Sequence, residues 1–429
     1  MNRLPLFLFL ISFFSLIPEG IAQKLTGKKV ERLFSGSALM QEHFVGFMLE
    51  DEMGKVIYSQ NEDVHFVPAS NTKIFTLYTA LHILGDSIPA FRYEISGDSL
   101  IIWGTGDPSF LHPELDNGKV YDFLKHTPYK LFLADQPALE FEPSYWRSDL
   151  GHFPIYANTM RAKYSLQGVL EISPKPMGFF LKADSSMVTD KFDILRSKTD
   201  NTLLYPSLLT VPEDFDDKVP FPMDLERSRF LLSDTLKKEV GLVKRVKKST
   251  LQTYYSIPTD SLYKHMMLPS DNFLAEQLLI LCSAALGDTL DPKITIKFAQ
   301  KNLFEGLKHK PVWEDGSGLS RYNLFTPRTV LEILNRVEVL VGDKNKLRGF
   351  FPAGGLSGTL KSAYELDDGK AFVWAKTGSL RNMHLQSGWI DTKKGKTYRF
   401  VFMNNNFVRP TPEVRKEMVR IMTTIHEKY

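Results

Sequence analysis

The sequence predicts an α/β protein, one domain assembled from the two ends of the chain and interrupted by a β-rich insertion. Three observations carry this expectation. Strand-like runs stand near both chain ends, and helical periodicity fills the stretches beside them. From about residue 93 to about residue 244, short candidate strands instead alternate with Pro, Gly, Asp and Ser clusters. A chain of 429 residues is long for a single domain, which suits such a plan.

At the N-terminus, Arg3 precedes an apolar stretch from Leu4 to Ile17, and Gly20-Ile21-Ala22 follows. Basic start, hydrophobic run and small-residue site make a secretory signal peptide of residues 1–22, cleaved near Ala22. The run is too short for the roughly 20 apolar residues that span a bilayer, so no stable transmembrane anchor is expected. Export to a periplasm or cell envelope follows. Removing 1–22 takes away Arg3 and Glu19 and leaves the formal charge at +3.

Residues 43–50 and 55–59 read as two strands joined by a turn at Gly54. Ile74, Phe75, Leu77, Tyr78, Leu81 and Leu84 then recur at helical spacing, with Gly85 as a stop. Ser70 therefore falls at the N-terminus of an apolar helix and Lys73 one turn inside it. After the insertion, helical patterns return at 259–286, 292–308 and 327–341. Candidate strands follow at 371–377, 383–391 and 397–404, and a last amphipathic helix covers 411–428. The expected domains are 23–92 with 245–429 as the main body, and 93–244 as the insertion.

Composition excludes several partners and chemistries. A net charge of +3 is too small to argue for nucleic acid, and the basic run at 243–249 reads as a solvated face. With Cys282 the sole cysteine, no internal disulfide exists, and its apolar helical setting marks it as a small core residue. No G-x-S-x-G elbow, H-E-x-x-H helix or phosphate-binding glycine loop occurs. The ten histidines lack metal-ligand spacing.

What remains is serine chemistry with lysine as base. Ser70-Asn-Thr-Lys73 alone says little, because Ser261-Leu-Tyr-Lys264 has the same form and no supporting context. Two further motifs change the weighting: Ser270-Asp271-Asn272 opens an apolar helix, and Lys376-Thr377-Gly378 closes a strand. The ordered set S-x-x-K, S-D-N, K-T-G resembles the signature of penicillin-binding proteins and class A β-lactamases.

With "VPASNTKIFTLYTALHILG", "GTGDP", "SIPTDSLYKHMMLPSDNFLAEQLL", "WEDGSGLSRYN", "FPAGGLSGTL" and "AKTGSL", the chain resembles the penicillin-binding protein 4 type of D-alanyl-D-alanine carboxypeptidase/endopeptidase. The resemblance covers most of 43–110 and 250–407. It implies a β-lactamase/transpeptidase-like domain, a central antiparallel sheet flanked by helices, and acyl transfer at a D-Ala-D-Ala bond of peptidoglycan stem peptides. β-Lactam antibiotics would be covalent inhibitors. No metal or organic cofactor is implied.

The resemblance also implies roles. Ser70 is the nucleophile, Lys73 its base, and Ser270 the relay to the leaving amine. Asn272 holds a substrate amide, Lys376 and Thr377 meet the terminal carboxylate, and Gly378 admits a close approach. The backbone N–H groups of Ser70 and Ser379 form the oxyanion hole. Burial, the helix N-terminus and the Lys376 charge should together lower the proton affinity of Lys73. The DGSGLS run at 315–320 reads as a loop near the site without chemistry of its own. Two rivals share these motifs: a β-lactam hydrolase, for which Glu332-Ile-Leu-Asn335 is one residue short of E-x-x-L-N, and a peptidoglycan-binding module without turnover.

Overall fold

The computed structural model describes residues 24–429 except 137–138, 140–147, 176–177, 198–199, 201, 222, 245–250 and 288. The expected signal peptide lies outside the described residues, as does most of the basic run at 243–249. The α/β expectation holds.

The chain first forms α1 (Gly27–Ser35), β1 (Phe44–Asp51), β2 (Val56–Gln60) and α2 (Thr72–Ile83). The inserted region contributes β3 (Ser87–Ser96), β4 (Ser99–Gly104), α3 (Lys119–His126) and β5 (Lys130–Ala134). It continues with β6 (Thr159–Tyr164), β7 (Leu170–Ser173), β8 (Phe180–Asp184), β9 (Leu195–Arg196), β10 (Thr202–Pro206), β11 (Asp216–Pro220), α4 (Leu225–Leu236) and β12 (Val240–Val243). The chain returns through β13 (Gln252–Pro258), α5 (Thr259–Met267), α6 (Asn272–Leu286), α7 (Pro292–Asn302), α8 (Pro327–Val341) and α9 (Lys344–Phe350). It ends with β14 (Val373–Leu380), β15 (Met383–Asp391), β16 (Thr397–Asn405) and α10 (Thr411–Lys428).

The two chain ends build one antiparallel sheet in the order β14-β15-β16-β1-β2. Side chains alternate across it and bury both faces. Phe47, Leu49, Phe400 and Phe402 pack with Phe34 of α1 and Met418, Ile421 and Met422 of α10. On the other face Met48, Leu385, Val401 and Met403 pack with α2, α6 and α8. Both α2 and α6 are apolar nearly all round, as central helices must be. Ile74, Phe75, Leu77 and Ala80 are fully buried, and the Phe75 ring lies 4.2 Å from that of Phe325.

A second five-stranded sheet, β12-β5-β4-β3-β13, has its own core of Phe91, Leu100, Ile102, Leu131, Leu133 and Leu231. Its edge pairing joins β3 to β13 from Ser87↔Pro258 to Tyr93↔Gln252. The sheet thus takes in residues on both sides of the expected 92/93 and 244/245 boundaries. The Gly104–Pro108 run anchors this unit to the main body, where Gln277 Nε2 donates to Gly106 O at 2.7 Å. Within the unit, Ser256 Oγ of β13 donates to the buried Asp107 carboxylate.

Three local expectations need correction. Helix 259–286 is broken between Met267 and Asn272, where Ser270 adopts φ 66°, a left-handed conformation that interrupts any helix. Ser70 does not begin the apolar helix, which starts at Thr72. It lies in a 3-10 turn, Ala69–Asn71, ahead of α2, and no side chain caps either element. Lys376-Thr377-Gly378 sits inside β14 rather than at its end, because the strand runs on to Leu380 paired with Met383.

Candidate active site

Three elements meet at the first turn of α2: that turn, the break before α6, and β14. Lys73 is the first-turn residue that points into the domain, and its side chain is fully buried. Its ammonium meets three oxygens, Ser70 Oγ at 3.1 Å, Asn272 Oδ1 at 2.7 Å and Ser317 O at 2.8 Å, and donates to each. Lys376, also fully buried, donates to Ser270 Oγ at 2.8 Å and to Thr377 O at 2.9 Å.

The partners of Lys73 are not equivalent. An amide oxygen and a backbone carbonyl only accept, whereas a hydroxyl also donates. When Lys73 loses a proton, its two remaining N–H bonds serve Asn272 and Ser317, and the lone pair is left facing the Ser70 hydroxyl. That is the geometry of a base beside a nucleophile.

Burial drives that proton off. Lys73 is lowered to about 8, burial being the main cause, while the nearby carboxylates of Glu276, Asp271 and Asp315 partly restore its proton affinity. Burial and then the charge of Lys73 hold Lys376 well below the ordinary lysine range. Each ammonium disfavours the other, and burial is the first cause at both.

Close approach holds the parts together. A Cβ on Gly378 would stand 2.9 Å from Pro68 O and 3.0 Å from Ser70 N, so β14 passes against the Ser70 turn only with glycine there. Asn71 Nδ2 donates to Ser387 Oγ at 2.8 Å and pins the same turn to β15. Thr377 shares a 2.7 Å hydrogen bond with Thr359, and Ser379, exposed at the mouth, shares one of 2.7 Å with His384. Burial keeps that imidazole neutral, at about 3.

The structure thus brings Ser70, Lys73, Ser270, Asn272, Lys376, Thr377, Gly378 and Ser379 together beside the Ser70 turn. Asn272 differs in detail from its expected role, since its side-chain oxygen is turned to Lys73. Asp271 rather than Ser270 caps α6, accepting from Leu274 N at 2.8 Å. The second S-x-x-K pair lies on α5 with Lys264 exposed. Glu332 and Asn335 sit on α8 and bond to Lys308 N and the Glu50 carboxylate.

Sequence reading placed the Asp315–Ser320 loop near the site but missed what it does there, which is to supply the Ser317 carbonyl to Lys73, and missed Glu276, which holds that loop. Neither carries a side-chain signature, because the group that reaches Lys73 is backbone. The one available signal was the pair Gly316 and Gly318. A Cβ on Gly318, at φ 84°, would stand 1.9 Å from Ala69 O, so the loop packs directly on the Ser70 turn.

A five-stranded antiparallel sheet backed by a part-buried serine beside a fully buried lysine defines the fold class of penicillin-recognising acyltransferases. The model of the D-Ala-D-Ala carboxypeptidase 3 (S13) family matches residues 27–126 and 229–425, and the chain belongs to that family. It is 31% identical over 169 residues to D-alanyl-D-alanine carboxypeptidase DacB of Haemophilus influenzae, covering 37% of this chain and 34% of the relative. The chain thus spans about a third of the length of that curated relative. The crystal structure of penicillin binding protein 4 from Haemophilus influenzae matches with a TM-score of 0.69 at 20% identity, covering 93% of this chain and 99% of that one. The same protein in complex with a β-lactam matches equally, at 21% identity. At these identities the structural match speaks to the fold.

Proposed function

We propose that this chain is a serine-type D-Ala-D-Ala carboxypeptidase/endopeptidase that acts on peptidoglycan stem peptides through an acyl-enzyme on Ser70 and is acylated covalently by β-lactams. The observation that carries this reading is the Lys73 environment, in which the partner able to donate a proton to the neutral amine is the Ser70 hydroxyl. Family membership and the DacB relative support the same substrate class.

In this reading Ser70 Oγ attacks the carbonyl carbon of the penultimate D-alanine as its proton passes to Lys73. The oxyanion forms against the N–H groups of Ser70 and Ser379. The C–N bond breaks as the proton taken up by Lys73 passes through the Ser270 hydroxyl, itself hydrogen-bonded to Lys376, to the leaving nitrogen, which leaves Lys73 neutral again. Lys376 and Thr377 face the terminal carboxylate, and Asn272 orients the substrate amide beside Lys73. Water then attacks the ester, its proton goes to the same lysine, and Ser70 is restored.

The chain works in the periplasm or cell envelope once residues 1–22 are removed. No helix among the described residues is long and apolar enough to cross a membrane. The inserted unit comprises residues 87–258, bounded by the β3–β13 pairing. The β-lactam hydrolase reading is weaker because Glu332 and Asn335, on α8, bond to Lys308 N and the Glu50 carboxylate and offer no deacylation base at Ser70.

Purified protein incubated with disaccharide pentapeptide and with cross-linked muropeptide dimers tests the proposal. D-Alanine released from the first, or monomers from the second, is the expected result. Neither product, together with steady turnover of a chromogenic cephalosporin, would overturn it in favour of the hydrolase.

A further inference from the structure

The Asp315–Ser320 loop reaches Lys73 through a backbone carbonyl, so the choice of side chain at residue 317 does not place it. Something must hold the loop. Glu276, one turn beyond Asn272 on α6, is 5% exposed. Its Oε2 accepts from Gly316 N at 3.0 Å and its Oε1 from Ser317 N at 2.9 Å. Thr76 Oγ1 donates to Gly316 O at 2.7 Å, and a Cβ on Gly316 would stand 2.7 Å from Ala275 O. The loop is clamped between α6 and α2, with the carboxylate at its apex.

Two backbone donors could be satisfied by neutral acceptors. Burying a carboxylate is costly, so its charge calls for a use. We propose that Glu276 is the positioning residue of the lysine base, fixing the Ser317 carbonyl against Lys73 and supplying the leading negative charge of this pocket. The inference rests on the Ser70–Lys73 reading of the site.

Two consequences follow, both in the same direction. The Ser317 carbonyl and the Glu276 charge each favour the protonated lysine, so they set the pH at which Lys73 becomes a base. They also orient it, because the Ser317 carbonyl is one of the two acceptors that leave the lone pair on Ser70. The other charged groups facing Lys73 are accounted for. Asp271 caps α6, Asp315 holds Gly318 N and Ser320 N, and Lys376 on β14 is cationic or neutral but never negative. Among the carboxylates acting on Lys73, Glu276 contributes most.

The test is the rate of acylation by penicillin from pH 5 to 10 for the wild type, Glu276→Gln, Glu276→Asp and Ser70→Ala. Glu276→Gln removes the charge and turns an amide donor towards one loop N–H. Its plateau rate should fall about tenfold or more, and the midpoint of its acid limb should move about one pH unit lower. Glu276→Asp keeps the charge on a shorter stem, so its plateau should fall while its midpoint stays within a few tenths of the wild-type value. A purely structural anchor would lower the plateau in both and move neither midpoint.

An unmoved midpoint in Glu276→Gln, with Ser70 still required, overturns the role of Glu276 alone. Should Glu276→Gln not fold, Glu276→Asp decides: an unchanged plateau, or a midpoint displaced like that expected for the amide, overturns the inference. Acylation of Ser70→Ala at the wild-type rate would overturn the site reading itself.

Discussion

Two charged clusters in the main body are built in opposite ways. Around Lys73 and Lys376, two fully buried lysine side chains rest on hydroxyl, amide and carbonyl oxygens. Where the strand-to-turn segment meets α8, Asp63 instead collects charge. It accepts from Arg328 Nε at 2.6 Å, Lys308 Nζ at 2.7 Å and His309 Nε2 at 2.9 Å, with its side chain 38% exposed. The Arg328 hydrogen bond, followed by that of Lys308, depresses the Asp63 carboxyl far below its usual range, whereas burial moves both lysines towards neutrality. The contrast separates a scaffold, in which the Asp63 carboxylate is held in its charged form, from a site whose lysine is poised to gain or lose a proton.

The largest effect should come from removing the poise. Lys73→Arg keeps a cation that cannot deprotonate, and acylation by penicillin should fall by about 10² to 10⁴-fold. Near-normal acylation in a stopped-flow assay would mean that Lys73 is part of the scaffold after all. Next is pH. The base must be neutral, so wild-type acylation should rise about tenfold per unit from acid and level off above about pH 8. A flat profile between pH 6 and 9 would break the contrast from the other side.

A smaller effect is geometric. Gly378→Ala places a methyl 2.9 Å from Pro68 O and 3.0 Å from Ser70 N, which lifts β14 from the turn. Acylation should drop about tenfold through misplacement of the oxyanion donors, with the pH midpoint unmoved. The smallest belongs to the surface cluster. Asp63→Asn should cost about 1 kcal/mol or less in chemical denaturation, since its partners are solvent-screened, and should leave acylation unchanged. Because the folded carboxyl is depressed, its stabilisation is full above the unfolded value near pH 4 and fades as pH falls through the lower folded value. A loss of acylation in Asp63→Asn would show the two clusters to be coupled.

Much of this contrast was legible in the sequence, and the rest was hidden for identifiable reasons. The runs at 43–50, 383–391 and 397–404 are mostly apolar because both faces of the sheet are covered, and all three lie in the central sheet. The apolar face from Ile74 to Leu84 marks a buried helix. Ser70, Lys73, Ser270, Asn272 and Lys376 stood out through order and context, since each contributes a side chain.

Backbone contributions have no such mark. The Ser317 carbonyl, the left-handed Ser270 and the passage of Gly378 against Ser70 N depend on how distant segments approach. Lys376-Thr377-Gly378 looked like a strand end because its glycine suggested a turn, while the structure uses that glycine for proximity in mid-strand. The strand pairing that closes the second sheet was hidden for a related reason. The pairing of β3 with β13 joins residues far apart in sequence, and neither strand announces its partner.

The claim on which everything else depends is that Ser70 is the nucleophile. Intact-protein mass spectrometry after incubation with penicillin, followed by fragmentation of the tryptic peptide Val56–Lys73, tests it directly. The account predicts a gain of one penicillin mass, located on Ser70 and absent in Ser70→Ala. An unmodified wild type, or an adduct that persists in Ser70→Ala, would contradict it.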